Sequence, residues 1–278
     1  MRSVRLVKAN AYGNDFLLAP DDGSVADPPS FTRAACARHL GVGADGLILF
    51  TMADRRATMR LWNADGSVSE LSGNGLRCLA AHVARVQELP AGALVTVDTG
   101  AGVKTLDLVA RDGAHFTFRT AMGHPEELRE TNLVAAGETV RASVLRMGNP
   151  QCIVLGALPS SERFNRLGPA LATHAAFPAG TNVEFAHVEA PDRVRILIWE
   201  RGVGPTTSSG TGSSASAVAA AAHAGARREL DVVAPGGTQR VEWTSEGVFL
   251  TGWAHVVLEG EWTAGQGERE GESGAHLS

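Results

Sequence analysis

Two serines head the same short device at two places in this chain. Residues 70–84 read "ELSGNGLRCLAAHVA" and residues 206–224 read "TTSSGTGSSASAVAAAAHA". Each holds Ser-Gly-x-Gly and then small and apolar residues at helical spacing, with Ser72 first in one copy and Ser209 in the other. A serine ahead of a helix accepts a hydrogen bond from the first turn. The N–H groups still free there, with the positive end of the helix dipole, favour an anion such as a carboxylate. Gly73 and Asn74 sit in the first loop, Gly210 and Thr211 in the second. A single copy is explained as a helix cap. Two copies at matching places point to one small ligand met from two sides.

The segments around the loops repeat as well. "RSVRLVKA" and "DFLLA" read as strands, and "FTRAACARHLG" as a helix closed by Gly41. "GLILFTM" and "ATMRLWNADG" form a strand pair ending in an Asp-Gly turn. The first Gly-loop helix follows, from about Gly73 to Gln87, and residues 93–123 read as a three-stranded meander. The second half has strands around "GNP", a helix over "SERFNRLGPALATHAAF" and a strand pair from "GTNVEF" to "WERG". Its Gly-loop helix runs from about Thr211 to Ala226, before a closing meander. This is an internal duplication of pattern with little residue identity.

The chain has 278 residues, 44% hydrophobic, with a formal net charge of −5 and both signs scattered. That is ample for a large core. With no basic stripe, nucleic acid is not an expected partner. No apolar run is long enough to span a membrane, and "MRSVRLVKANAYGNDF" has no signal-peptide core, so a cytoplasmic protein is expected. Cys36, Cys78 and Cys152 are far apart, without CxxC or a His/Cys cluster at metal spacing. They read as reduced, buried thiols, and no metal site is expected from them.

The motifs resemble the diaminopimelate epimerase family from about residue 5 to 262. "GNDF" (13–16), "GADGLI" (43–48), "WNADGS" (62–67), "SGNGLRC" (72–78), "GNP" (148–150), "GTNVEF" (180–185), "WERGVG" (199–204) and "SGTG" (209–212) follow the family's order and spacing. The resemblance implies an α+β fold of two pseudo-symmetric domains, mostly antiparallel or mixed sheet wrapped round a central helix, with the active-site cleft between them. The halves would be 1–122 and 123–264, the last strand able to return to the first half, with 265–278 a disordered tail. It also implies inversion of an amino acid's α-carbon without cofactor, one thiolate removing the α-proton and the opposite thiol returning one. The implied ligand is an amino-acid-like small molecule carrying carboxylates, and a homodimer is a possible assembly.

By resemblance, Asn14, Asn63, Asn149, Asn182 and Arg201 hold the distal end of the substrate or its carboxylate, and Glu200 contacts the α-amino group. A guanidinium fork suits a bidentate carboxylate. For the asparagines the bland alternative is a turn former bonded to its own backbone, above all Asn63 in "NADG". Three departures fall on the proton-transfer machinery. Ser72 and Ser209 replace both family cysteines, and Gln151 stands where the family has His after Asn-Pro. A free thiol has a pKa near 8.5 and an alcohol ionises far less readily. Serine nucleophiles work because a neighbouring base takes their proton. His39, His82, His174, His187 and His223 have no spacing that places one beside either serine, which leaves Glu200 as the surviving base, ahead of Asp15 and Asp65. Three functions fit: a diaminopimelate epimerase-like enzyme using Ser72, Ser209 and Glu200; a different cofactor-independent isomerase with Glu200 as its base; and a catalytically silent amino-acid-binding homologue.

Overall fold

Alternating apolar and polar residues set the strands, and two runs of small residues set the helices they enclose. The structure is a computed structural model and describes residues 3–70 and 72–263. The first half contains β1 (Ser3–Ala11), β2 (Asn14–Pro20), α1 (Pro28–Cys36), β3 (Gly46–Ala53), β4 (Arg56–Asn63), a short β5 (Val68–Ser69), α2 (Gly73–Val86), β6 (Leu94–Thr99), β7 (Gly102–Asp112) and β8 (His115–Gly123). The second half contains β9 (Glu126–Ala135), β10 (Glu138–Arg146), β11 (Pro150–Leu155), α3 (Ser161–Ala172), β12 (Asn182–Ala190), β13 (Arg193–Glu200), a short β14 (Gly204–Thr206), α4 (Gly210–His223), β15 (Glu229–Ala234), β16 (Gly237–Thr244) and β17 (Gly247–Thr263). The tail read as disordered lies outside the described residues.

Strand pairing closes two rings. In the first, β1 pairs with β2, β2 with β3, β3 with β4, β4 with β6, β6 with β7, β7 with β8, β8 with β17, and β17 returns to β1. In the second, β9 pairs with β10, then β11, β12, β13, β15, β16 and β17 follow in order. That ring is completed where β17 pairs with β8, whose chain continues directly as β9. Each ring counts eight strands: the first closes strand to strand, and the second is joined through β8, with β9 pairing to β10 alone among the described residues. β17 serves both: residues 247–251 pair with β16 and residues 255–263 with β1.

A helix apolar on nearly every side is stable only where every side is covered. α2 is buried without a break from Asn74 to Ala84 and packs on β1, β2, β3, β6, β7, β8 and β17. α4 is buried from Gly212 to Ala220 and packs on β10, β11, β12, β13, β15, β16 and β17. Its alanines and serines suit a narrow interior. Ser213 donates to Gln239 at 2.7 Å and Ser214 to the Gly210 carbonyl at 2.8 Å. α1 and α3 lie on the barrels' outer faces, α1 against β3 and β4, α3 against β9, β12 and β13.

The helix read as closing at Gly41 ends earlier, at Cys36, because Ala37 is extended (φ −60°, ψ 118°). It begins at Pro28 behind the N-cap Asp27, a placement that suits proline's fixed φ. α3 stops at Ala172, so its histidine lies beyond it.

Candidate active site

Ser72 and Ser209 are both N-caps. Ser72 Oγ accepts from Gly75 N–H and Ser209 Oγ from Gly212 N–H, each at 3.1 Å. Both caps have extended backbone, φ −127° and −143°. The next N–H groups, Leu76 and Ser213, bond to the cap carbonyls. That leaves the N–H groups of Gly73 and Asn74, and of Gly210 and Thr211, without a hydrogen-bond partner among the described residues.

A bridge joins the two loops. Thr207, two residues before Ser209, donates its hydroxyl to the Tyr12 carbonyl at 3.2 Å. Two residues after Tyr12, Asn14 Oδ1 accepts from Asn74 Nδ2 at 3.4 Å, and Asn74 is two residues after Ser72. Tyr12 is anchored by its own hydroxyl, which donates to the Thr238 carbonyl and accepts from Trp253 N–H.

The strands under α4 collect the polar residues of the second half. In register, Gln151 stands beside Asn182 on β11 and β12, and Glu184 opposite Ile198 on β12 and β13. Residues paired in register share a face, as do residues two apart. Gln151, Asn182, Glu184 and Glu200 therefore share the face that α4 covers. Cys152, Val183 and Phe185 take the other face, in the core beneath α3. α3 is held tightly there: a Cβ at Gly168 would lie 2.6 Å from the Trp199 ring. That contact seats Trp199, the residue before Glu200.

Arg201 is anchored next to this face. Its backbone N–H donates to Asn182 Oδ1 at 3.0 Å and its guanidinium to the Ala179 carbonyl at 2.5 Å. The side chain is exposed and has no carboxylate partner among the described residues. Gln151 is fully buried, and one orientation of its amide suits a charged neighbour: the nitrogen donates to Glu184 Oε1 and Oε2 at 3.2 and 3.1 Å, and the oxygen accepts from Thr211 Oγ1 at 3.1 Å. The Asn149 amide lies 2.6 Å from the same end of Gln151 that faces Thr211.

Burial and the charge of Glu200 hold the Glu184 carboxyl well above the ordinary carboxylate range, and burial pushes Glu200 up as well. The other two carboxylates are committed. Burial pushes Asp15 up, but bonds from Arg38 and Lys8 outweigh it and hold the group below its usual value. Asp65 is lowered by its bonds to Ser67 in an exposed turn. Asn63 is exposed too, donating to Ser67 Oγ at 3.0 Å, and Asn14 donates to Asp45 at 2.6 Å. The first-half asparagines are thus engaged with their own surroundings, while Asn149, Asn182 and Arg201 gather with Gln151 and Glu200.

All three cysteines are free and buried. Burial pushes Cys36 and Cys152 up to about 12 and raises Cys78 further, so none is a thiolate near neutrality. His223 Nδ1 lies 2.8 Å from Ser143 Oγ, His187 faces the Gly156 carbonyl, and His82 is buried against Phe50. Among the described residues no histidine bonds either cap serine. Glu184 is the site residue that sequence reading passed over. Its signal was its place two residues after Asn182, an acidic side chain on the inner face of a strand.

The diaminopimelate epimerase family model matches residues 6–127 and 143–257. A diaminopimelate epimerase of Desulforudis audaxviator is 38% identical over 93% of this chain and 99% of its own. The chain belongs to the diaminopimelate epimerase family. Among solved structures, a predicted epimerase of Pseudomonas aeruginosa superposes with a TM-score of 0.70 at 16% identity, covering 93% of this chain and 99% of that one. A hydroxyproline epimerase of Agrobacterium vitis, with trans-4-hydroxy-L-proline bound, gives 0.63 at 17%, covering 94% and 91%. At those identities the likeness is one of fold. No helix among the described residues is long and apolar enough to cross a membrane.

Proposed function

We propose that this chain inverts the α-carbon of a diaminopimelate-like amino acid by two-sided proton transfer in the cleft between the barrels, without cofactor. The observation that carries the reading is the pair of helix starts, capped alike by Ser72 and Ser209 and linked through Tyr12 and Thr207. The four free N–H groups receive the α-carboxylate and stabilise the negative charge that grows on it when the α-proton leaves. Arg201, with Asn149 and Asn182 beside it, takes the distal carboxylate; Asn14 and Asn63 line the opposite wall. Glu200, raised by burial and without a side-chain partner among the described residues, meets the α-amino group and is the base nearest the reacting carbon. The helices α2 and α4 are the axes of the two domains, and the three buried free thiols suit a reducing, cytoplasmic setting.

Serine does not supply base strength of its own, since each unit of pKa mismatch costs about 1.4 kcal/mol. The hydroxyls serve as positioned donors and acceptors, and a carboxylate carries the proton. That division supports a second reading, a one-base isomerisation by Glu200 with the serines binding carboxylate, because the raised carboxyls all lie on the Ser209 side.

The test is α-proton exchange. With LL- and meso-diaminopimelate in heavy water, NMR is expected to show loss of the α-hydrogen signal, at least tenfold slower in Ser72→Ala and Ser209→Ala. Exchange at both stereocentres with interconversion supports inversion; exchange without interconversion supports the one-base reading. No exchange with binding retained by calorimetry overturns both.

A further inference from the structure

We propose that Glu184 is the positioning residue that sets, through Gln151 and Thr211, which way the Ser209 hydroxyl points. The inference rests on the proton-transfer reading of the site and adds a device to it. The geometry is local. A Cβ on Gly212 would lie 2.3 Å from Glu184 Oε1 and 3.1 Å from Ser209 Oγ, so those two oxygens are no farther apart than the sum, 5.4 Å. Between them runs a chain of contacts. Ser209 Oγ is 3.4 Å from Thr211 Oγ1, Thr211 Oγ1 is 3.1 Å from the Gln151 amide, and that amide is 3.1 Å from Glu184.

The chain has two complete hydrogen-bonded arrangements. With Glu184 ionised, the Gln151 nitrogen donates to the carboxylate, and its oxygen accepts from Thr211 and from the Asn149 amide, turned so that its nitrogen faces Gln151. Thr211 then accepts from Ser209, whose free lone pair faces outward. With Glu184 neutral, its O–H donates to the Gln151 oxygen and the Gln151 nitrogen donates to Asn149 Oδ1, 2.6 Å away. Thr211 is then free to donate to Ser209, which turns its own proton outward. Ser209 is an acceptor in one arrangement and a donor in the other. A hydroxyl that bonds the reacting groups in both directions of an inversion, while a carboxylate carries the proton, has to be both. Glu200, two residues beyond the register partner of Glu184, is the titratable group facing it, and burial with that like charge brings the Glu184 proton into play well above the ordinary carboxylate range.

The other loop lacks this device. Behind Gly75, the counterpart of Gly212, stand Ile48 Cδ1 at 3.1 Å and the Phe16 ring at 3.4 Å. Two apolar side chains fill the places that Glu184 and Gln151 take in the second half.

The test has two arms on the intact protein. In the first, nitrogen-15 NMR follows the Gln151 side-chain amide, identified by its loss in Gln151→Met, across pH without substrate. The expected result is a titrating amide signal that stops titrating in Glu184→Gln and titrates at lower pH in Glu200→Gln. A signal that does not titrate in the native protein, or still titrates in Glu184→Gln, overturns the proposal. In the second, α-proton exchange in Glu184→Gln is expected to fall at least tenfold in kcat with KM little changed, and Glu184→Asp to recover part of the loss. Native rates in Glu184→Gln overturn it as well. If the native protein exchanges no α-proton, the reading of the site fails by itself, and the amide titration still decides whether Glu184 governs the chain.

Discussion

At the scale of single residues, the decisive feature is a carboxyl with no countercharge. Glu184 is completely buried and pairs with an amide where a cation would ordinarily stand. A carboxyl whose folded-state pKa lies above its unfolded value binds more protons when folded. Stability is therefore greatest below the unfolded pKa and falls as pH rises toward the folded one, by up to about 1.4 kcal/mol for each pH unit between the two. Glu184→Gln removes that penalty. Thermal unfolding followed at several pH values should show the variant gaining on the native protein from about pH 4.5 upward; a gap that does not change with pH would show that Glu184 is not raised. The cap serines carry a separate structural cost. Replacing either by alanine should cost about 1 kcal/mol in denaturant unfolding, a loss separable from its effect on exchange.

At the scale of elements, the two Gly-loop helices share a backbone and differ in what lies behind them. Gly75 and Gly212 both close the Ser-Gly-x-Gly turn, and neither has space for a methyl group to spare. A methyl at residue 75 would press on Ile48 Cδ1 at 3.1 Å, where the tip of an aliphatic chain can give by a few tenths of an ångström. At residue 212 it would meet a carboxylate oxygen at 2.3 Å, and Glu184 would have to leave the Gln151 contact. Gly75→Ala should therefore cost about 1–3 kcal/mol of stability and little activity. Gly212→Ala should lose most of the α-proton exchange, and equal losses of exchange in the two variants would contradict the assignment. β9 is the longest element that sequence reading leaves unassigned. "EELRETNLVA" is charged and rich in helix formers, and its burial alternates only toward its end. It is a strand because it pairs along its length with β10.

At the scale of the whole molecule, closure of the rings depends on one long strand. β17 finishes the second barrel with its first residues and supplies the partner of β1 with its last. A chain ending after Ala254 keeps every residue of the site but leaves β1 without its partner along Ser3–Asn10. It should fail to fold cooperatively, as judged by loss of a single thermal transition; a normal transition would show that the first barrel closes by other means. The halves are alike in path and unlike in chemistry, with the raised carboxyls among the described residues on the Ser209 side. That inequality is what a test for exchange at one stereocentre ahead of the other would reveal.

The sequence by itself determined the duplication, the two capped loops and most of the elements, because alternation, turn glycines and cap serines act over a few neighbouring residues. Eight short motifs in order also carried the family, and the bland reading of Asn63 was visible in "NADG". Sequence could not show that β9 pairs with β10, that β17 belongs to both barrels, or that Asp15 is locked by Lys8 and Arg38. Nor could it show that Glu184 lies within reach of Ser209. Those facts depend on strand register between segments far apart in the chain, and register decides which side chains share a buried face. A carboxyl two residues past an asparagine is an ordinary sight on a strand. It becomes part of a site only when α4 is laid over it with a glycine at residue 212.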